Sequence, residues 1–300
     1  AKTKNMILFA ALMGLGLGTI VSFFLEYLDN TIKSAEEVER YMDLPVLGVL
    51  ERLKISKNGK QNYTELIADE MPKSAFAEAV KNIRTGIIFS STNNSRKSIL
   101  ITSATQGEGK TFVASNLAIA IAQTGKKTLL VETDFRKPRI SEVFNVEMKP
   151  GLSDHLVGEN GFESVFKSTS ISNLSVVTCG NIPPNPSEML GSVRMEKFCK
   201  IIREKFDTIL FDTPPSLTVT DAVVLSNVID EAVFVVKSGK TARETAKRAT
   251  LQISKNKCKV LGVVVNFINV SKGSYYYHYY SGYHESGDNG KETSKKAEKV

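Results

Sequence analysis

Ser103-Ala104-Thr105-Gln106-Gly107-Glu108-Gly109-Lys110-Thr111 lies between an apolar run, Ser98–Thr102, and a helix-like stretch, Lys110–Gln123. These residue types at this spacing suit the cradling of a phosphate chain. Gly107 and Gly109 let backbone N–H groups turn inward around an anion. The helix that follows presents its N-terminal dipole to the same place. Lys110 is set to meet the β- and γ-phosphates of a nucleotide and Thr111 to offer a hydroxyl to Mg²⁺, with Glu108 and Phe112 completing the binding set. The run is a Walker A pattern with alanine, Ala104, at its first glycine position.

Two more apolar runs end in carboxylates. Leu129-Leu130-Val131 leads into Glu132-Thr133-Asp134-Phe135-Arg136, and Ile209-Leu210-Phe211 into Asp212-Thr213-Pro214-Pro215. Glu132 and Asp134, two residues apart at a strand end, can face one crevice and serve a metal or a hydroxyl nucleophile. Asp212 follows three buried apolar residues, a costly place for a charge unless it holds another charge, and bound Mg²⁺ supplies one. The segment around Asp212 is a Walker B pattern.

The elements that must position these groups follow from periodicity. Apolar runs at Ser98–Thr102, Thr128–Val131, Leu174–Val177, Thr208–Phe211, Ala232–Val236 and Val260–Val265 alternate with helix-like stretches, among them Lys110–Gln123, Glu188–Phe206 and Ala242–Ser254. Short, continuously apolar strands separated by helices predict a parallel sheet covered on both faces. The fold class is therefore α/β, a doubly wound, mostly parallel sheet over residues 73–270, with ligands at the carboxyl ends of the strands. Asn266, ending the last strand, is expected to contact the adenine.

Met6 to Leu25 is free of charge and long enough to span a bilayer core of roughly 30 Å, so residues 1–28 are expected to form a transmembrane helix. Gly14 and Gly18 form a G-x-x-x-G pair that would let another span approach. Residues 29–72 are expected to be a juxtamembrane stub and linker. Within them, Ser34 and Glu37 predict a capping box and Leu44–Leu50 a short strand. The composition turns polar from about 52 to 72, and a helix follows over about 74–89. The chain begins with Ala rather than Met, which suggests a piece of a longer protein.

The 300 residues carry a formal charge of +7, with 39 basic residues scattered among 32 acidic ones. Without a dominant basic block, no nucleic-acid partner is expected. Cys179, Cys199 and Cys258 are widely spaced and exclude a disulfide scaffold or zinc ribbon, and His155, His278 and His284 have no ligand spacing. Six of the nine tyrosines, Tyr275, Tyr276, Tyr277, Tyr279, Tyr280 and Tyr283, fall within nine residues and open a polar tail over 271–300. Consecutive tyrosines cannot all face a core. On a chain with a nucleotide site they suggest phosphate acceptors.

Together these residues resemble the bacterial tyrosine kinases (BY-kinases) of capsule and exopolysaccharide biosynthesis. The resemblance covers about Met6 to Tyr283 and begins at the last span of a Wzz-type activator. It rests on the G-E-G-K core of Walker A, a second Walker motif (A′) at 132–136, D-T-P-P at 212–215, G-x-x-P-P-N-P-S-E at 180–188, T-D-A at 220–222 and the tyrosine cluster. The layout is similar to the single-chain proteobacterial form. Two positions depart: Glu132 replaces the first A′ aspartate, and the oligomerisation motif E-x-x-R-x-x-R reads Glu78, Lys81, Arg84, with lysine lacking the bidentate fork.

The resemblance implies a P-loop NTPase fold of the ParA/MinD-like kind, with Mg·ATP as substrate and cofactor. Lys110, Glu132, Asp134 and Asp212 are the implied catalytic set, and Thr111, Asp212, Glu132 and Asp134 the implied metal set. It also implies a ring of identical subunits joined through Glu78, Lys81 and Arg84; that helix face, with the low-complexity tail directly after the strand-like run Val260–Phe267, predicts transfer to the tail tyrosines of a neighbour. Implied partners are the membrane, the polysaccharide polymerase and export machinery, and a cognate tyrosine phosphatase. Lys2 and Lys4 before the span would place the N-terminus in the cytoplasm. ATP chemistry instead places residues 29–300 there, at the bacterial inner or plasma membrane. Two other readings differ in class. A ParA/MinD-type ATPase would have a signature lysine near Thr105, where none stands. A chain-length regulator that only binds ATP would transfer no γ-phosphate.

Overall fold

The structure, a computed structural model, describes residues 2–52, 65–90 and 98–269. The tyrosine cluster, the rest of the 271–300 tail and most of the polar linker lie outside the described residues.

Eight strands form one sheet: β1 (Val46–Glu51), β2 (Ser98–Ser103), β3 (Thr128–Glu132), β4 (Phe166–Ser168), β5 (Leu174–Val177), β6 (Thr208–Asp212), β7 (Glu231–Lys237) and β8 (Lys259–Ile268). Their order is β1-β8-β7-β2-β6-β3-β5-β4. All neighbours pair in parallel except β4 with β5. The helices are α1 (Lys2–Leu28), α2 (Ala35–Met42), α3 (Ile67–Glu70), α4 (Ala75–Ser90), α5 (Lys110–Ala122), α6 (Ile140–Val143), α7 (Leu152–Val157), α8 (Pro186–Leu190), α9 (Val193–Lys205), α10 (Asp221–Leu225) and α11 (Arg243–Ser254).

The alternation of side chains along each strand supplies two cores. Leu100, Phe211 and Phe234 face one side, with Phe198, Leu225 and Ala249 of the helices there. Ile99, Ile101, Leu210 and Val235 face the other, with Val80 and Ile83 of α4 and Leu117 of α5. β2 lies between β6 and β7; the chain runs outward to β3 on one side and from β7 to β8 on the other. The loop after β2 thus leaves the sheet where strand order reverses, the place where such folds bind ligands.

Several expectations change in three dimensions. The stretch Glu188–Phe206 is two helices, α8 and α9. Ser192 opens the second by accepting a hydrogen bond from Met195 N at 3.3 Å. β4 is an antiparallel edge too short to register as a strand in the sequence. The segment expected to be a stub supplies β1, the far edge of the sheet beside β8, so the sheet draws on residues before 73. Ser34 accepts from Glu37 N at 3.4 Å, but Glu37 reaches back to Lys33 N rather than to Ser34 N. The expected linker contains α3, whose Ile67 and Ala68 are buried; Asn116 of α5 accepts from Ala68 N and donates to Glu65 O.

α1 is exposed along the side chains described, with a mean hydropathy of 2.2. It is long and apolar enough to cross a membrane. Directly after it, Ile32 N donates to Thr241 O at 2.8 Å and Gly239 N to Ile32 O at 2.8 Å. The segment after α1 is thereby bound to the loop between β7 and α11.

Candidate active site

The loop from Ala104 to Gly109 joins β2 to α5, and both its glycines hold left-handed backbone, φ 77° at Gly107 and 92° at Gly109. Gly109 is also a close approach: a Cβ there would stand 2.2 Å from Asn266 Nδ2. Asn266 donates to Glu108 O at 3.0 Å, and its Oδ1 accepts from Phe267 N at 2.9 Å. The expected adenine ligand therefore sits beneath the loop with its amide engaged by backbone.

Glu108 does not project outward either. It is fully buried and accepts from Thr105 N at 2.9 Å, from Thr105 Oγ1 at 3.0 Å and from Thr241 Oγ1. Lys240 Nζ donates to Gln106 O at 3.1 Å, and Lys137 Nζ to Gln106 Oε1 at 3.0 Å. The tip of the loop is thus held from both sides before any ligand arrives. Phe112 turns its ring away, 5.1 Å from that of Phe76. What it has to offer a ligand is its backbone N–H in the first turn of α5, one of the donors a helix leaves unpaired.

Lys110 is 8% exposed and sits within electrostatic range of Asp134 and Asp212, favouring the charged form of each. Thr111 Oγ1 donates to Asp212 Oδ2 at 2.6 Å. The other oxygen, Asp212 Oδ1, is buried without a hydrogen-bond partner. Burial pushes the Asp212 carboxyl up to about 7, with the nearby Asp134 and Glu132 adding to the shift and Lys110 and Thr111 opposing it. A bare, dehydrated carboxylate oxygen beside a threonine hydroxyl fits a hard cation. Thr111 and Asp212 are the residues that would hold Mg²⁺.

Asp134 is buried, and desolvation raises its pKa above the ordinary carboxylate range while Lys110 pulls it down. Its Oδ1 accepts from Lys137 N at 3.1 Å, which closes the turn after β3. Glu132, expected beside it at the metal and the acceptor, is placed differently. Oε1 accepts from Arg139 N and from Ile140 N, the latter at 2.7 Å, and Oε2 from Cys179 N at 2.9 Å. Three backbone donors surround this carboxylate, so it ties the end of β3 to α6 and to the loop after β5.

The sequence profile of the ParA family, described as the NUBPL iron-transfer P-loop NTPase, matches residues 94–296. The chain is 40% identical over 238 residues to the tyrosine-protein kinase YwqD of Bacillus subtilis, an alignment covering 79% of this chain and 98% of that protein. It belongs to the bacterial tyrosine-kinase family. The kinase is also 29% identical over 278 residues to the tyrosine-protein kinase wzc of Salmonella typhi, covering 89% of this chain but 38% of that longer protein. Among solved structures it resembles the chimerical protein CapA2B2, with a TM-score of 0.73 and 36% identity over 79% of this chain and all of the other.

The expected subunit contact is occupied from within the kinase. Lys81 Nζ pairs with Glu78 Oε1 at 2.6 Å and donates to Pro72 O at 3.1 Å, and Arg84 Nη1 donates to Ala120 O, near the end of α5, at 2.7 Å. Other groups had no assigned task in the sequence: Thr241, Lys240 and Lys137, which hold the phosphate loop, Asp221, which meets Arg136, and Ser187, which donates to Asp221. Ser187 and Asp221 stand in recognisable motifs, whereas Thr241 carries no signal, because its partner is 133 residues away.

Proposed function

We propose that the kinase transfers the γ-phosphoryl group of ATP to the tyrosines of its own C-terminal cluster, chiefly those of a neighbouring subunit in a ring. The observation that carries the transfer chemistry is the gathering of Lys110, Thr111, Asp134 and Asp212 at the ends of β2, β3 and β6, with Asp212 Oδ1 buried and unpaired. Lys110 meets the oxygens of the transferring phosphoryl group, and the backbone N–H groups of the 107–112 segment hold the β-phosphate. Bound Mg²⁺ supplies charge neutralisation on the phosphate oxygens. The acceptor phenol forms the new O–P bond as the bond to the β-phosphate oxygen breaks and ADP leaves. A free phenol has a pKa near 10, so Asp134 takes its proton as the bond forms. The raised pKa of Asp134 makes it a better base than an exposed aspartate. Asn266 acts on the nucleotide through the loop it supports.

The membrane helix, the family and the relation to longer kinases support a place at the inner face of a bacterial membrane. There the kinase would serve capsule or exopolysaccharide polymerisation and export, opposed by a cognate phosphatase. Glu78, Lys81 and Arg84 are the proposed ring contact. A second reading, transfer within one chain, has its own support. β8 ends beside the phosphate loop, since Asn266 touches Glu108. An acceptor seven residues beyond Ile268 has a reach of about 25 Å. Transfer to a neighbour therefore does not follow from reach.

Mixing decides between them. A Lys110→Met chain with an intact tail is incubated with an active chain whose six cluster tyrosines are Phe, and radiolabelled γ-phosphate is supplied. Label on the Lys110→Met tail is the expected result. No label there, with wild-type labelling independent of concentration, assigns transfer to a single chain. No label in wild type refutes the kinase activity.

A further inference from the structure

Asp221 begins α10 and is completely buried, yet it stays hydrogen-bonded on every side by groups distant in sequence. Arg136 Nε donates to its Oδ2 at 3.1 Å and Nη2 to its Oδ1 at 3.3 Å. Ser187 Oγ, from α8, also donates to Oδ1, and Thr220 Oγ1 donates to Ser187 Oγ at 3.0 Å. Arg136 belongs to the turn after β3 that contains Asp134. That turn is pinned at every residue. Asp134 accepts from the backbone N–H groups of Arg136 and Lys137, Phe135 is fully buried in the core, Arg136 is clamped by Asp221, and Lys137 reaches Gln106 of the phosphate loop.

We infer that Asp221 and Ser187 are positioning residues for phosphoryl transfer: through Arg136 they hold the 134–137 turn in the one orientation that presents Asp134 to the acceptor hydroxyl. This rests on the kinase reading of the same site. The physical argument is one of cost against geometry. Burying a carboxylate is unfavourable, and apolar packing of the same volume would hold α8 to α10 at least as firmly. What apolar packing cannot supply is direction. The near-parallel pair of N–H bonds from one guanidinium fixes the plane of Arg136, and the serine hydroxyl fixes the plane of the carboxylate that receives it. The two stretches that the resemblance marks, 180–188 and 220–222, thereby meet the A′ motif at one point.

The test measures steady-state transfer to a glutamate–tyrosine copolymer, affinity for a fluorescent ADP analogue, and thermal midpoint, for wild type, Ser187→Ala, Ser187→Thr, Asp221→Asn and the Ser187→Ala/Asp221→Asn pair. Asp221→Asn is expected to lower kcat by roughly ten- to a hundredfold, because a small misplacement of a reacting group has that effect. KM for ATP and ADP affinity should stay within about twofold, since interactions made only in the transition state appear in kcat. Ser187→Ala should lower kcat less, Ser187→Thr should restore it, and the double variant should match Asp221→Asn, as members of one unit do. Unchanged kcat in both single variants overturns the inference. So does a loss of kcat matched by an equal loss of ADP affinity or folded fraction, which assigns the clamp to stability. If Asp221→Asn does not fold, the Ser187→Ala and Ser187→Thr pair decides by the same readouts. A wild-type chain that binds ADP but labels no tyrosine refutes the kinase reading, an outcome separate from all of these.

Discussion

Glu132 and Asp212 are register partners on neighbouring parallel strands, and each is 1% exposed. They look alike in sequence, an acid closing an apolar run. Their surroundings differ. Glu132 is held by three backbone N–H groups, whereas Asp212 has one hydroxyl on one oxygen and nothing on the other. Burial raises the pKa of both. The difference shows that burial and charge do not separate the two acids; the number of carboxylate acceptor sites left without a protein donor does. Glu132 is complete within the fold, whereas Asp212 keeps one oxygen without a protein donor.

The comparison is broken most sharply by neutralising each acid. Asp212→Asn should cut phosphoryl transfer by about a hundredfold or more, the scale of losing a preorganised electrostatic contact, as read by radiolabel incorporation. Glu132→Gln should leave the phosphate site assembled but place an NH₂ against backbone donors, costing about 1–3 kcal/mol in a denaturant titration. If Glu132→Gln instead abolishes transfer at unchanged stability, the distinction drawn between the two acids is wrong.

The pH dependence of stability sharpens it further. Asp212 has a folded pKa near 7 against an ordinary value of 3.8. Between these values the folded state binds more protons than the unfolded one, so nucleotide-free stability falls as pH rises from about 4 to about 7. Glu132 and Asp134 are shifted the same way and add to that slope. Asp212→Asn should flatten it, with a higher thermal midpoint at pH 8 than wild type in the absence of nucleotide. A steeper slope in the variant would show that Asp212 is not the principal source.

The smallest expected effect concerns the loop after β2, the strand beside the one that ends in Asp212. Thr241→Val removes one of the donors to Glu108 and should raise KM for ATP by roughly threefold, about the worth of one such hydrogen bond, with kcat retained. Equal KM values would show that Thr105 alone holds Glu108.

Much of the site is legible along the chain because its parts are contiguous. A strand, a glycine turn and a helix fall in one run from Ser98 to Ala122, so residue type and spacing carry the chemistry of the phosphate grip. The strand pattern is equally local, and the parallel, two-faced sheet follows from it. The break between α8 and α9, and β4, were less visible, because a Gly-Ser pair inside a long apolar-periodic stretch and a three-residue edge strand leave weak local signals.

The sequence by itself therefore determined the fold class, the nucleotide loop, the Walker carboxylates and an apolar helix at the start. Only the tertiary structure decided which carboxylate is filled, where Asn266 points, and that β1 completes the sheet. Cys179 reaches Glu132 across 47 positions, and Asp221 reaches Arg136 across 85. A side chain's role depends on which donors surround it once it is dehydrated, and those donors come from segments that only folding brings together.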